Sequence, residues 1–214
     1  MPIQTYRHLQ PKGELGIWQI EETEAYFRER MPLTTLEEAQ IALIKGEGRR
    51  KEWLASRYLL HIMSGRKERG AFVKDEFGKP HLMDSPFQVS ISHSNHAAAV
   101  LATPRACGVD IQKIVGKIER ISQKFMRQEE LYSLQQGSRL EHLHVYWGAK
   151  EAIYKAYGRK ELDFVQHILI DPFEYDLDRG TFSGRLEKNK IQQHFDLYYE
   201  LVGEFMLVYA IQSN

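Results

Sequence analysis

The sequence predicts an α+β fold, and three observations support this class. Segments with apolar residues at helical spacing occur along the 214 residues together with segments in which apolar and polar residues alternate one by one. Each half of the chain contains one prominent aromatic helix and several strands. A weak boundary in the segment TPRA separates an N-terminal half, residues 1–104, from a C-terminal half, residues 105–214. No residue-level repeat is visible, so the order of the elements only suggests a duplication.

The N-terminal half starts with short elements before its main helix. We expect a strand at LGIWQI, a helix at EETEAYFRERM and a short helix at EEAQIALIKG, where Thr35 and Glu38 form a capping box. The aromatic helix is RRKEWLASRYLLHIM, which ends near Ser64-Gly65. A turn follows at residues 78–80, whose sequence is GKP.

A β-hairpin is predicted for FQVSISHSNHAAAVLAT. Phe87, Val89 and Ile91 alternate with polar residues, which is typical of a strand with one buried face. We expect the turn of this hairpin at Ser94-Asn95.

The C-terminal half is predicted to begin with the strand ACGVDI. A basic amphipathic run, KIERISQKFMRQEELYSL, leads to the aromatic helix WGAKEAIYKAYG, and a strand is expected at FVQHILID. The end is rich in strand patterns: EYDLD, a turn at residues 178–180, TFSGRL, and FDLYYELVGEFMLVYAIQ.

Composition narrows the class of partner. Lys and Arg together number 29, as do Asp and Glu, so no overall field favours nucleic acid or a membrane surface. No apolar run approaches the length of a membrane span, and the first residues lack the pattern of a signal peptide. The one cysteine, Cys107, cannot form an internal disulfide, which fits a reducing compartment. We therefore expect a cytoplasmic globular protein.

The helix WGAKEAIYKAYG places one narrow polar stripe on a surface that is otherwise apolar. Glu151 and Lys155 form this stripe beside Trp147. A Glu followed by a Lys four residues later is often an ordinary surface pair, which contributes only about 0.3–0.5 kcal/mol. The alternative is that both side chains face a functional site.

Other residues allow similar pairs of interpretations. Asp110 interrupts the apolar strand pattern of GVDI, either as a turn at the strand end or as a ligand of a hard cation such as Mg²⁺. His93 is either structural or a donor to a phosphate or sugar, backed by the hydroxyl of Ser92. Lys79 lies on a turn and is either solvated or a ligand-binding cation. The cations 49–51 begin a helix, where they oppose its dipole unless an anion binds there.

The order of these segments along the chain is more specific than any one segment alone. WLASRYLL, FGKP, ISHS, GVDI and WGAKEAIYKAYG follow one another, and Asp110 and Glu151 are 41 positions apart (151 − 110). Over roughly residues 45–165 the chain resembles the 4′-phosphopantetheinyl transferase family. It is most similar to the larger monomeric form that activates peptide and polyketide synthases. The resemblance implies two similar α/β halves related by pseudo-twofold symmetry, with the active site between them.

The resemblance also implies roles for individual residues. Asp110 and Glu151 would hold Mg²⁺ on the pyrophosphate of coenzyme A, and Lys155 would bind that pyrophosphate and assist the leaving group. The residues expected to contact the nucleotide end of coenzyme A are Arg50, Lys79, Ser92 and His93.

One position departs from the family pattern. Many relatives carry a Glu two residues after the motif aspartate as a third ligand on the metal side, and this chain has Gln112. An amide oxygen can bind Mg²⁺ but carries no charge, and a water molecule could take its place.

The implied activity is the transfer of 4′-phosphopantetheine from coenzyme A to a serine of an apo acyl or peptidyl carrier protein, by a monomer that uses Mg²⁺. Two other functions stay open at this point. The chain could bind coenzyme A without transfer, which Gln112 would favour, or it could be a non-catalytic module that binds acidic helical partners through residues 113–130.

Overall fold

The computed structural model describes residues 3–10 and 12–213 and confirms a mixed α/β architecture. The predicted N-terminal half starts at residue 1, and residues 1, 2 and 11 lie outside the described ranges. The elements are, in chain order, β1 (Ile3–Leu9), β2 (Gly13–Gln19), α1 (Glu24–Arg30), α2 (Thr35–Ala42), α3 (Glu47–Ser64), β3 (Phe72–Lys74), β4 (Pro80–Leu82), β5 (Gln88–Ser94), β6 (Ala97–Thr103), β7 (Cys107–Lys113), α4 (Gln128–Tyr132), α5 (Arg139–Tyr157), β8 (Ile168–Ile170), β9 (Arg179–Lys188), β10 (Ile191–Val202) and β11 (Phe205–Gln212).

Two antiparallel sheets form the centre of the structure, and each carries one long helix. The first sheet has the order β1-β2-β6-β5 and packs against α3, and the second has the order β7-β11-β10-β9-β8 and packs against α5. Between the sheets lies a third apolar cluster, to which β2, β6, β7 and β11 contribute buried side chains such as Ile17, Leu101, Val109 and Leu207. The layers are therefore helix, sheet, sheet, helix.

The two halves share a local order of elements. In the first, β2, α3, β5 and β6 give the strand order β2-β6-β5, and in the second, β7, α5, β10 and β11 give β7-β11-β10. The added strands differ, since β1 extends the first sheet beside β2 whereas β9 and β8 extend the second beside β10. The pseudo-twofold relation and the boundary near residue 104 stay predictions.

Helix α5 lies unusually close to its sheet because glycines face it. A Cβ on Gly108 of β7 would overlap the backbone carbonyl of Ala152, and a Cβ on Gly148 of α5 would lie 2.6 Å from a methyl group of Val208. Neither position has room for a larger residue without moving backbone or packed core. The close approach at Gly108 thus lies on β7 two residues before Asp110.

Two predicted local features of the N-terminal half are wrong by one residue. The capping box consists of Thr34 and Glu37, not Thr35 and Glu38, because Glu38 pairs with Arg28 while Glu37 bonds back to Thr34. The turn of the β5–β6 hairpin consists of Asn95 and His96, whose φ angles are 47° and 67°. Positive φ at both central residues gives the turn whose twist matches that of the strands.

Three predictions for the C-terminal half need correction. EYDLD forms no strand, β9 begins at Arg179 where a turn was expected, and the strand expected at FVQHILID is limited to β8. The basic run is divided between two elements: a 3₁₀ helix spans Gly116–Lys124 and α4 follows it. Phe125 and Met126 break this run because both side chains are buried in the core beside α5.

In the described ranges, no helix is long and apolar enough to cross a membrane.

Candidate active site between the two halves

Side-chain hydroxyls join the two halves where β5 lies beside β7. These strands belong to different sheets, so backbone carbonyls do not link them as they would in a ladder. Instead, Ser90 Oγ accepts a hydrogen bond from Val109 N at 3.0 Å, and Ser92 Oγ accepts one from Ile111 N at 3.2 Å. Asp110 lies between these two amides, so the junction fixes the backbone on both sides of it.

The structure brings Ser92, Asp110 and Lys155 together at this junction. Lys155 Nζ lies 2.7 Å from Asp110 Oδ1, 3.0 Å from Ser92 Oγ and 2.9 Å from the carbonyl oxygen of Val109. Ser92 Oγ donates to Asp110 Oδ1 at 3.1 Å. Asp110 is 93% buried and thus satisfies the requirement that a buried carboxylate be paired. The turn interpretation of Asp110 does not hold, because the residue lies inside β7.

Glu151 lies one helical turn before Lys155 and faces the same region. Burial raises the pKa of Glu151, the negative charge of Asp110 raises it further, and Lys155 opposes both effects. Two carboxylates that repel each other in a poorly solvated place are a suitable donor set for a hard divalent cation. Glu151 and Lys155 are therefore not an isolated surface pair.

Gln112 shares a face of β7 with Asp110. Its Nε2 donates to the carbonyl oxygen of His144 at 3.1 Å, which orients the amide and leaves Oε1 as the atom available to a ligand. Within the described ranges, no cluster of three or more His, Cys, Asp or Glu side chains could hold a metal ion. The donor set at this place is thus two carboxylates and one amide.

A cleft of about 270 Å³ opens beside this junction, between the two halves. Aromatic rings and cations form its walls, and no Asp or Glu of the described residues lines it. The cations that line it are Arg57, Lys74, Lys79, Lys155, Arg159 and Lys160. A cleft lined by six cations and by no carboxylate of the described residues suits a ligand with several negative charges.

Two of these cations are strongly desolvated. Burial lowers the pKa of Arg57 to about 9, although Glu37 opposes the shift, and its guanidinium stacks 3.5 Å above the ring of Trp53. Arg57 Nε is buried without a hydrogen-bond partner. Burial likewise lowers the pKa of Lys79, whose Nζ donates to the carbonyl oxygen of Ala156 at 2.6 Å. An anion in the cleft would relieve the cost of keeping both cations away from water.

His93 is placed at the mouth of the cleft by a carboxylate from α3. Its Nδ1 lies 3.1 Å from Glu52 Oε2, which can only accept, so Nε2 remains for a ligand. Burial alone would raise the pKa of Glu52, but the hydrogen bonds from His93 and from the backbone of His96 lower it. Glu52 therefore stays ionised and fixes the ring of His93.

Two residues predicted to contact the nucleotide lie elsewhere. Arg50 Nε is 2.7 Å from Glu24 Oε1, and the residue does not line the cleft. Ser92 is buried behind Asp110 and does not line it either. Their roles as coenzyme contacts stay predictions. Arg57 was missed because a single arginine in an aromatic helix carries no signal that distinguishes it from Arg49 or Arg50.

A buried ion pair behind the site was also not predicted from the sequence. Lys150 is fully buried, and its Nζ lies 2.8 Å from Glu130 Oε2 and donates to the carbonyl oxygens of Phe164 and Ile168. Glu130 Oε1 accepts from Ile170 N at 3.0 Å. The pair attaches α5 to α4 and β8. Because removing one partner of such a pair costs about 3–5 kcal/mol, it fixes the helix that carries Glu151 and Lys155.

Comparisons with known proteins agree with this geometry. A model of the 4′-phosphopantetheinyl transferase superfamily matches residues 106–209, which include Asp110, Glu151 and Lys155. A 4′-phosphopantetheinyl transferase named gsp, from Aneurinibacillus migulanus, is 30% identical over 111 residues. The aligned region is 50% of this chain and 46% of that protein, so it spans about half of each. The family resemblance predicted from the motifs is confirmed.

Replacing the charge of Glu151 should stabilise the metal-free protein at neutral pH. Because the pKa of Glu151 is higher in the folded state than its ordinary 4.5, the folded protein binds an extra proton between the two values. Wild-type stability therefore falls as the pH rises through that window. We expect Glu151→Gln to raise the free energy of unfolding at pH 7.5 in the absence of divalent cations, and the gain to disappear below about pH 4.5.

Urea unfolding at both pH values measures this difference. Glu129→Gln on α4 is the control, because Glu129 is exposed and its replacement should leave stability nearly unchanged at either pH. A loss of stability on Glu151→Gln at pH 7.5 would contradict the electrostatic description of the site.

Proposed function

Since residues 106–209 match a model of the 4′-phosphopantetheinyl transferase superfamily, we propose that this chain transfers 4′-phosphopantetheine from coenzyme A to a serine of an apo-carrier protein. Adenosine 3′,5′-bisphosphate would be the second product. The observation that supports this most directly is the division of charge at the site. Six cations line the cleft, and one of them, Lys155, contacts Asp110 and attracts the charge of Glu151, two carboxylates that do not line it.

This division fits the chemistry of coenzyme A. The nucleotide end carries a 3′-phosphate and a pyrophosphate, and the aromatic and cationic walls of the cleft suit an adenine ring and these phosphates. We propose that Arg57, Lys79 and His93 bind the nucleotide end and that Lys155 binds the pyrophosphate.

Mg²⁺ fits the oxygen donors at the junction. We propose that Asp110 and Glu151 hold it, with Gln112 Oε1 or a water molecule beside them. When bound, the ion neutralises charge on the phosphoryl group that is transferred.

Two residues of the chain would assist the reaction, one by accepting a proton and one by offsetting negative charge. The serine hydroxyl of the carrier attacks the β-phosphate, and the bond to the departing 5′-phosphate breaks. Glu151, whose pKa is raised by burial and by Asp110, takes the serine proton directly or through a water molecule. Lys155 offsets the charge that develops on the leaving phosphate.

We propose that the carrier approaches on the other side of the junction. A second groove there is lined by Gln112, Trp147 and the apolar side chains of Val115, Ile118 and Ile121. Lys117, Arg120 and Lys124 are exposed on the adjoining 3₁₀ helix. Phe125 and Met126 of the same segment are buried and offer the carrier no apolar contact, whereas Val115 is exposed. The family resemblance implies that the carrier proteins are acidic. Opposite charges would then speed the encounter between the carrier and this basic surface.

We also propose that the protein acts as a monomer in the cytoplasm and that its halves divide near residue 104. The free thiol of buried Cys107 supports a reducing compartment. The strands of the first sheet all precede residue 104, and those of the second all follow it.

Transfer should depend on both carboxylates. Incubation with fluorescent coenzyme A, Mg²⁺ and a panel of apo-carriers should shift the mass of at least one carrier by the mass of the labelled phosphopantetheine. Asp110→Ala and Glu151→Ala should abolish this shift while the circular dichroism spectrum stays unchanged, because each removes an oxygen donor from the metal site.

If an acidic carrier docks on the basic 3₁₀ helix, the transfer rate at low carrier concentration should fall as salt is added.

The same assay separates the alternative functions. Tight binding of coenzyme A without transfer to any carrier would favour a binding protein, as Gln112 first suggested. Substantial transfer by either alanine variant would exclude these carboxylates as the metal ligands.

Arg57 and not Arg50 should determine recognition of the nucleotide phosphates. Arg57→Gln should raise the KM for coenzyme A about tenfold or more, because a charge-assisted hydrogen bond contributes roughly 1.5–3 kcal/mol. Arg50→Gln is the matched control on the same helix, and its KM should stay near that of the wild type because Arg50 pairs with Glu24. Steady-state kinetics with coenzyme A and its 3′-dephospho form measure both effects. The opposite pattern would place the phosphates near α1.

A further inference from the structure

We infer that Ser92 is a positioning residue, whose hydroxyl from the N-terminal half holds Asp110 and Lys155 of the C-terminal half in their working arrangement. The inference rests on the proposed function and concerns the same site. It gives Ser92 a role different from the contact to coenzyme A that the family resemblance implies.

The hydrogen bonds of Ser92 use the full capacity of its hydroxyl. Its one proton is donated to Asp110 Oδ1 at 3.1 Å, and its two lone pairs accept from Ile111 N at 3.2 Å and from Lys155 Nζ at 3.0 Å. A hydroxyl with three protein partners has no capacity left for a phosphate. The side chain is also buried, with only 6% of the residue exposed.

These bonds decide which oxygen of Asp110 is available. Oδ1 receives hydrogen bonds from Ser92 and from Lys155, at 3.1 Å and 2.7 Å. In the part of the chain that the structure describes, no protein donor reaches Oδ2. The carboxylate is thus held with Oδ2 as the oxygen that can bind a cation beside Glu151. Partners that orient a ligand in this way commonly change metal affinity 10- to 100-fold when they are lost.

Ser90 provides a comparison within the same strand. It is two residues away, is also buried, and also accepts a hydrogen bond from a β7 amide, that of Val109, at 3.0 Å. Unlike Ser92, it makes no hydrogen bond to Asp110 or to Lys155, both of which the structure describes. The two serines therefore make the same kind of bond between the halves, and only Ser92 adds contacts to the charged groups.

The junction also links the proposed nucleotide site to the proposed metal site. Ser92 lies next to His93, which is at the mouth of the cationic cleft, and its hydroxyl contacts the Asp110 carboxylate. A displacement of β5 relative to β7 would move His93 relative to the Asp110 carboxylate. The serine hydroxyl thus keeps the nucleotide site of one half in register with the metal site of the other.

The experiment compares Ser92→Ala with Ser90→Ala. Binding of Mn²⁺ to the full chain with coenzyme A present, and without carrier, is measured by electron paramagnetic resonance. Ser92→Ala should weaken Mn²⁺ binding roughly 10- to 100-fold, whereas Ser90→Ala should bind Mn²⁺ as the unmodified protein does. Urea unfolding verifies that both variants are folded and lose similar stability. The preference for coenzyme A over its 3′-dephospho form should be unchanged in Ser92→Ala.

Three outcomes would overturn the inference. Equal Mn²⁺ affinities of the two variants would make Ser92 an ordinary bond between the halves. A lost preference for the 3′-phosphate in Ser92→Ala would make it a direct contact of coenzyme A. Absence of Mn²⁺ binding in the unmodified protein would show that Asp110 and Glu151 form no metal site. Failure of transfer to every carrier, with the expected Mn²⁺ pattern intact, would overturn the proposed activity and leave the role of Ser92 standing.

Discussion

The close approach of α5 to β7 is the constraint on which the site depends. Gly108 leaves no space between the strand and the carbonyl of Ala152, so the helix lies close enough for Lys155 to reach the Asp110 carboxylate and the backbone of Val109. The buried pair of Lys150 and Glu130 fixes the other side of the same helix. A side chain at position 108 would move Glu151 and Lys155 away from Asp110 together, because both are carried by one rigid helix.

Charges around the junction are separated rather than mixed. The cleft contains cations whose pKa values are lowered by burial, among them Arg57 and Lys79, and the carboxylates lie behind them. Only Lys155 belongs to both regions, since it lines the cleft and contacts Asp110. Such an arrangement lowers the stability of the protein without ligands and becomes favourable once an anion and a cation bind. The stability lost at the site is therefore consistent with a polyanionic substrate and a divalent ion.

Local patterns in the sequence predicted the charged residues at the centre of the site but not the residues that surround it. The polar stripe of Glu151 and Lys155 and the charge within GVDI indicated groups that the fold then brings together, because a buried charge needs a partner wherever it lies. The choice between Arg50 and Arg57 depends on which face of α3 meets the cleft and on Glu24, which lies on another helix. The role of Ser92 could not be predicted, because it arises from a contact between sheets that no local pattern encodes. The cap and the hairpin turn each lie one residue from their predicted positions for the same reason, since distant partners contact them: Arg69 pairs with Glu37 of the cap, and Glu52 accepts a hydrogen bond from His96 N at the turn.

We propose that one site between the halves holds both the pyrophosphate and the metal ion. Crystals of the chain grown with coenzyme A and Mn²⁺ would test it directly through the anomalous scattering of manganese. We expect one strong peak between Asp110 and Glu151, with the pyrophosphate next to Lys155 and the nucleotide in the cleft beside Arg57. A manganese peak remote from both carboxylates, or coenzyme A bound outside the cleft, would contradict it.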